Sequence, residues 1–260
     1  MDIKLDFTGK VTLITGAASG MGFLFCQKFV EAGGCAAMVD INEAAVAAAA
    51  EKINAIRPGS AKAIVCDVRD YQQVCRARDE AVAAFGRIDV LIPFAGGAEI
   101  RMLKVDMSDK EFPDVPIEVY DWGLDVNLKG QFYFDHAVLA QMREQKSGVI
   151  IHVGSITGEE GCIDAIAYST AKSAAMNGLT KSIGQYGAKY GVRCCCISPG
   201  PVLTREAMAN LPTLMGRAAE PEEIVDMALY IASDKGAFFT GVNFLLDGGR
   251  NILAKVGYKK

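Results

Sequence analysis

The chain lacks the features that mark several broad classes of protein. No apolar run reaches the about 20 residues that a membrane-spanning helix needs. The opening Met1-Asp2-Ile3-Lys4-Leu5-Asp6 contains no apolar leader core, so a cytoplasmic location is expected. The net charge is only -4, from 27 basic and 31 acidic side chains, which speaks against a nucleic-acid or membrane-surface partner. None of the eight cysteines forms a C-x-x-C pair, and with no export signal they suit a reducing compartment. Cys194, Cys195 and Cys196 are consecutive; in a strand they alternate between faces and cannot converge on one metal. His136 and His152 are the only histidines, and neither has a Cys or carboxylate at metal-ligand spacing. Both are read as structural, and no metal is expected. No internal linker or repeat interrupts the chain, so residues 1–260 are expected to form one domain.

What is present is a core-forming pattern. Hydrophobic residues make up 51% and charged residues 22%, which excludes a disordered chain. Short apolar runs alternate with segments of helical spacing. Strands are read at Val11–Ile14, Cys35–Val39, Ala63–Cys66, Val90–Ile92, Val149–Val153, Val192–Ile197 and Val242–Leu246. Helices are read at Met21–Ala32, from an Asn42 cap to about Ile56, at Asp70–Phe85, Asp121–Glu144 and Ala165–Tyr190. Strands this apolar are covered on both faces and therefore parallel. The expected fold is α/β, a Rossmann-type doubly wound parallel sheet of seven strands with helices on both faces.

Thr15-Gly16-Ala17-Ala18-Ser19-Gly20-Met21-Gly22 lies between the first strand and the first helix. Glycines let the backbone approach a pyrophosphate, and the helix N-terminus supplies free N–H groups. Asp40 stands 18 residues beyond Gly22, at the end of the second strand. A carboxylate there accepts from both ribose hydroxyls of a dinucleotide and repels a 2′-phosphate. Ser19 is uncharged, and no Arg or Lys stands beside Asp40. NAD is expected rather than NADP. A second constellation follows the fifth strand. Tyr168 and Lys172 are four residues apart on a helical segment, so they share a face. Ser155 follows the fifth strand, at the end where an open parallel sheet binds its ligands.

Taken together, these motifs resemble the short-chain dehydrogenase/reductase family in its single-domain form. T-G-x-x-x-G-x-G matches Thr15, Gly16, Gly20 and Gly22; Asp-Val matches Asp67-Val68; the helix-five Asn matches Asn127. The Ser…Tyr-x-x-x-Lys set matches Ser155, Tyr168 and Lys172, and Pro199-Gly200 with Thr204 and Asp247-Gly248-Gly249 match two further segments. The strand-four ending departs from the family's Asn-Asn-Ala-Gly: here it is Pro93-Phe94-Ala95-Gly96, with Phe94 filling the space.

The resemblance implies an NAD-dependent oxidoreductase interconverting a secondary alcohol and a ketone. Tyr168 would be its general acid/base, Ser155 would bind the substrate oxygen, Lys172 would hold ribose and lower the Tyr168 pKa, and Asn127 would anchor a water. It implies cofactor contacts from Gly16, Ser19, Gly20, Met21, Gly22, Asp40, Ile41, Asp67, Val68, Ala95, Gly96, Tyr168, Lys172, Pro199, Gly200, Val202 and Thr204. It also implies a homotetramer or homodimer through the two long helices, and a small-molecule substrate of hydroxysteroid, polyol, sugar or 3-oxoacyl type.

Two alternatives share the fold. A sugar-nucleotide epimerase would need a longer chain with a substrate domain. A non-catalytic NAD-binding sensor or scaffold would tend to lose the four catalytic positions. Gly97–Glu118, with Pro113 and Pro116, reads as a long loop or lid, or else a slack insertion. Thr204–Met215 reads as a shortened lid for which that stretch compensates. Cys162 falls in a segment expected to line the substrate pocket. Arg101, Lys104 and Arg205 flank the expected mouth, either as solvated charge or as holders of a carboxylate or phosphate.

Overall fold

The computed structural model describes residues 4–255. Seven strands form one sheet: β1 (Val11–Thr15), β2 (Cys35–Asp40), β3 (Ala61–Val65), β4 (Val90–Pro93), β5 (Gly148–Val153), β6 (Val192–Pro199) and β7 (Asn243–Leu246). All neighbours are parallel, in the order β3-β2-β1-β4-β5-β6-β7. After β3 the chain crosses back over β1 and continues on its other side. β1 and β4 therefore flank a topological switch point, and a crevice opens beyond their carboxyl ends.

Between the strands run α1 (Gly20–Glu31), α2 (Glu43–Ile56), α3 (Tyr71–Phe85), α4 (Glu99–Met102), α5 (Ile117–Leu124), α6 (Gly130–Gln145), α7 (Thr157–Glu160), α8 (Ile166–Ala174), α9 (Thr180–Ala188) and α10 (Pro221–Ala232). Local chemistry sets several ends. The Asn42 side chain accepts from Ala45 N at 3.0 Å and starts α2. Asp70 accepts from Gln72 N and Gln73 N and starts α3, and Gly86 ends it in the left-handed region.

Alternation along the strands supplies two cores. Ile14, Ile151 and Cys195 face α1, α2 and α10, where Phe25, Phe29, Ile53 and Val225 are buried. Leu13, Ile150 and Cys194 face the opposite layer, against Val74, Phe134, Val138 and Met142 of α3 and α6. Each large apolar side chain sealed in this way contributes about 1.5–3 kcal/mol. Adjacent cysteines of β6 thus enter opposite cores, as period-two geometry requires.

Several boundaries differ from the sequence reading. β3 starts at Ala61, two residues early, because the Asn54 side chain both donates to Ala61 O and accepts from Ala61 N. It is an edge strand that exposes Lys62 and Val65, so it is not covered on both faces. The helix read from Asp121 begins at Ile117, and both long helices are interrupted by π turns, Asp125–Lys129 and Ala175–Leu179. Such wide turns have no hydrophobic period of their own and commonly mark functional positions. Gly97–Glu118 is not a plain loop. It contains α4 and a 3-10 turn at Phe112–Asp114, with Glu111 and Asp114 capping each other. Ile100, Val105 and Met107 pack there against a small cluster of Val115, Tyr120 and Ala167.

Candidate active site

The glycine turn lies at the crevice end of β1. Gly22 must be glycine: a Cβ there would fall 2.4 Å from Gly16 O. Ser19 occupies the N-cap of α1 but makes no side-chain cap bond. The first N–H groups of α1 therefore have no side-chain acceptor, the arrangement that takes up a phosphate. Ala95 N donates to Thr15 Oγ1 at 3.0 Å and fastens the end of β4 to this turn.

The Asp40 carboxylate ends β2, accepting from Ala18 N at 3.2 Å and Asn42 N at 3.1 Å. Across the mouth, Arg69 grips Asp67 at 2.6 Å and holds its carboxyl below the usual carboxylate range. Arg69 is thus already neutralised. A cleft of about 350 Å³ runs over these groups. Gly16, Ser19, Met21, Gly22, Asp40, Ile41, Asp67, Val68, Ala95 and Gly96 all line it. Gly20, the residue that opens α1, lies between two lining residues. Phe94 also lines the cleft while packing on the core, so the departure at the end of β4 is filled by an aromatic ring. The sequence reading did not single out Cys66, Arg69, Met102, Trp122 or Val126, which complete the lining. Met102 and Trp122 come from α4 and α5 and carry no motif signal.

Asn127, Ser155, Tyr168 and Lys172 gather beyond Gly96. A Cβ on Gly96 would lie 2.4 Å from Asn127 Oδ1 and 3.6 Å from Lys172 Nζ. Asn127 is fully buried in the first π turn. It accepts from Gly97 N and donates to Gly97 O and Gly123 O, each at 2.9 Å. Its backbone carbonyl takes Gln131 Nε2 at 2.7 Å. The Asn127 amide thus clamps the chain leaving β4.

Lys172 Nζ donates to Val153 O at 2.8 Å, and burial pushes its pKa down to about 8. Ser155 Oγ accepts from Thr157 N and Thr157 Oγ1. Tyr168 is half-buried. Burial pushes its pKa up; the Ser155 hydroxyl and the charges of Arg101 and Arg205 oppose that shift. Lys172 stands beside the phenol ring. The ammonium is 5.4 Å from the ring centroid and is bonded to Val153 O. Cys162 lies near enough that its charge would raise Tyr168 further.

Pro199, Gly200, Val202 and Thr204 lie outside the cleft lining. Ile156 N donates to Pro199 O at 2.9 Å, which ties the end of β6 to the Ser155 segment. Gly200 N donates to Leu246 O, and Val202 pairs with Ala219. Thr204 is exposed, and a 3-10 turn follows at Glu206–Met208. Met215 N then donates to Gly248 O, tying this segment to the residues that follow β7.

Sequence reasoning missed Glu99. It is fully buried, yet its carboxylate accepts from Ala167 N at 2.9 Å and Tyr168 N at 3.1 Å. The N-cap of α8 is Ala165, which has no side chain to do this. Glu99 therefore caps from 68 and 69 residues away the helix that carries Tyr168. Glu99→Ala is expected to cost about 1–2 kcal/mol, because two helix N–H groups lose their acceptor. Thermal unfolding beside NADH titration checks it; an unchanged melting temperature would show that solvent replaces the cap.

His152 also gains partners that its sequence spacing did not reveal. Its Nε2 meets Asp135 Oδ2 at 2.8 Å, deep between α6 and β5. Thr180 Oγ1 donates to Ala175 O and so accepts from His152 Nδ1–H at 2.8 Å. Burial pushes the Asp135 carboxyl up, and the His152 ring beside it opposes that shift. The pair joins α6, β5 and α9, which keeps the histidine structural. Among the described residues no helix is long and apolar enough to cross a membrane, and no group of three or more His, Cys, Asp or Glu is placed to hold a metal ion.

A doubly wound parallel sheet with a phosphate-binding turn at its switch point defines a nucleotide-binding α/β protein. Residues 10–213 match the short chain dehydrogenase family, and the chain belongs to it. It is 34% identical to the D-threitol dehydrogenase of Mycolicibacterium smegmatis, over 96% of this chain and 95% of that protein. It is 36% identical to a 3-alpha-(or 20-beta)-hydroxysteroid dehydrogenase of Mycobacterium tuberculosis, over 93% and 89%. A solved NAD+-bound xylitol dehydrogenase superposes with a TM-score of 0.81 at 27% identity, covering 94% of this chain and 99% of that one.

Proposed function

We propose that this protein is an NAD-dependent oxidoreductase that interconverts a secondary alcohol and its ketone. The observation that carries the reading is Lys172 Nζ beside Gly96, at the inner end of the nucleotide cleft, with the Tyr168 ring 5.4 Å from it and the Ser155 hydroxyl bonded to Tyr168. The site fits a nicotinamide dinucleotide on three counts: the cradle at Gly22, the uncapped start of α1 and the Asp40 carboxylate. When bound, the nicotinamide ring supplies the acceptor or donor of the hydride.

The protein's part is to move the accompanying proton and hold the oxygen. Tyr168 takes the alcohol proton in oxidation and returns it in reduction. Ser155 donates to the substrate oxygen as charge develops on it. Lys172, held by Val153 O, turns its charge toward Tyr168 and the ribose. Asn127 fixes the Gly97 backbone through two hydrogen bonds and is itself held by a third to Gly123 O, and so sets the cleft wall at Gly96. The face of α4 and the short segment from Thr204 to Met215 form the outer wall. Phe132 on α6 and Tyr186 on α9 are exposed apolar side chains on the long helices, which supports a homodimer or homotetramer through them. The single sheet supports one domain, and eight unpaired thiols support a cytoplasmic setting.

Two measurements test this reading. A screen of secondary alcohols with NAD should produce NADH for at least one class, and no activity on polyols, steroids and hydroxy acids alike would overturn it. Asp40→Ala should weaken NAD and narrow its lead over NADP, since the carboxylate both accepts from ribose and repels a 2′-phosphate. An unmodified enzyme that preferred NADP by about tenfold in kcat/KM, or about 1.4 kcal/mol, would refute the assignment of Asp40.

A further inference from the structure

We infer that Gln131 is a positioning residue for Lys172: its buried side-chain amide fixes the Val153 carbonyl that holds the ammonium, and so sets the grip of the site on the nicotinamide half of the cofactor. This role rests on the oxidoreductase reading and adds a residue to the same site. The ladder between β4 and β5 is unfinished. It pairs only Val90 with Val149 and Leu91 with Ile150. Pro93 closes β4 and has no N–H with which to extend it, yet β5 runs on to Val153. Val149 N donates to Asp89 O on the β4 side, and period two puts the N–H and C=O of Val153 on that side as well. Val153 is buried, so both groups need partners.

Gln131 supplies them in place of a strand. Its Oε1 accepts from Val153 N at 3.0 Å, and its Nε2 donates to Val153 O at 3.3 Å. The same Nε2 donates to Asn127 O at 2.7 Å. A flipped amide would set nitrogen against the Val153 N–H and oxygen against two carbonyls, so the side chain has one orientation. Lys172 Nζ is the second donor to Val153 O, at 2.8 Å. Among the described residues that carbonyl is the hydrogen-bond acceptor of the ammonium, so its direction decides where the charge sits. Gln131 also reaches the opposite wall. Asn127 lies in the π turn four residues earlier, and its side chain clamps Gly97. One amide therefore joins the turn that sets the cleft wall to the carbonyl that sets Lys172. Gln131 does not itself line the cleft; it acts through Val153 O.

The test is a double-mutant cycle of Q131M and K172M in the full-length protein, read by fluorescence titration with NADH. ADP serves as the probe of the adenine half alone. Methionine keeps the length of the side chain and removes both hydrogen-bonding functions. Q131M is expected to weaken NADH about tenfold, the scale of one charge-assisted hydrogen bond, and to leave ADP binding unchanged. In the K172M background the same change should have no further effect on NADH, because the residue through which it acts is gone. A loss that repeats in full in that background, a loss that falls equally on ADP, or an unchanged NADH affinity in Q131M would overturn the proposal and leave Gln131 a structural residue. If Q131M does not fold, Gln131→Ser leaves room for water against the same groups and carries the cycle with the same expectations. An unmodified protein that binds no NADH would overturn the oxidoreductase reading and this role with it, whereas additive losses in a protein that binds NADH overturn the role of Gln131 alone.

Discussion

Tyr168→Phe is expected to lower kcat for alcohol oxidation by about 10²-fold or more while NADH still binds. The substitution removes one hydroxyl and keeps the ring. Glu99 bonds only the backbone N–H at this position, so the start of α8 stays capped. No other acid or base replaces the lost group: Ser155 is weakly acidic, and Lys172 Nζ is bonded to Val153 O. Because burial raises the Tyr168 pKa, oxidation in the unmodified enzyme should accelerate with pH as the phenolate is populated. The variant should lose both the rate and that rise. NADH formation across a pH series checks the first part, and fluorescence titration of NADH checks the second. Near-normal turnover in Tyr168→Phe would remove the tyrosine from the chemistry.

Lys172→Met is expected to abolish turnover and weaken cofactor binding, and it should also change how stability depends on pH. Burial holds the folded-state pKa of Lys172 at about 8, below its ordinary 10.5. Between those values the unfolded chain keeps the proton and the folded chain does not. Stability from this group therefore rises with pH through that window, and the penalty of the buried charge is fully present below about 8. Each pKa unit is about 1.4 kcal/mol, so the unmodified protein should gain about 2 kcal/mol on Lys172→Met between about pH 7 and about pH 9.5. At neutral pH the variant escapes the charge penalty but leaves Val153 O without its donor, which costs about 1–3 kcal/mol, so the absolute difference there is small. The buried thiols of Cys26 and Cys66 are raised by burial and act with the opposite sign, but they are common to both proteins and cancel in the comparison. Urea titrations of the two cofactor-free proteins over that pH range measure the gap. A constant gap would show that Lys172 is charged throughout.

Both predictions concern side chains that are chemically out of place in a core, and both were visible in the sequence. Tyr168 and Lys172 are four residues apart on one helix, and their meeting is a consequence of helical period alone. The phosphate-binding turn was legible for a similar reason. Gly16, Gly20 and Gly22 are adjacent in the chain, and the steric demand of the turn acts within it. Asp40 followed from strand length: the carboxylate stands where β2 ends. The seven strands and their parallel arrangement followed from apolar runs separated by helical spacing, because burial on both faces leaves a direct mark on composition.

The residues that tertiary structure decided are those whose partners lie far along the chain. Glu99 in the sequence is one acidic residue in a polar stretch, with no period and no motif. Only the docking of α4 against α8 puts it under Ala167 and Tyr168, where a buried carboxylate is stable because two helix N–H groups need an acceptor. Asp135 and His152 likewise meet across α6 and β5. The π turn around Asn127 carries the clamp on Gly97, which no local pattern announces. Short-range sterics and hydrophobic period determined the fold, the turn and the Tyr–Lys pair. Long-range satisfaction of buried charge and of helix ends determined which further side chains surround them.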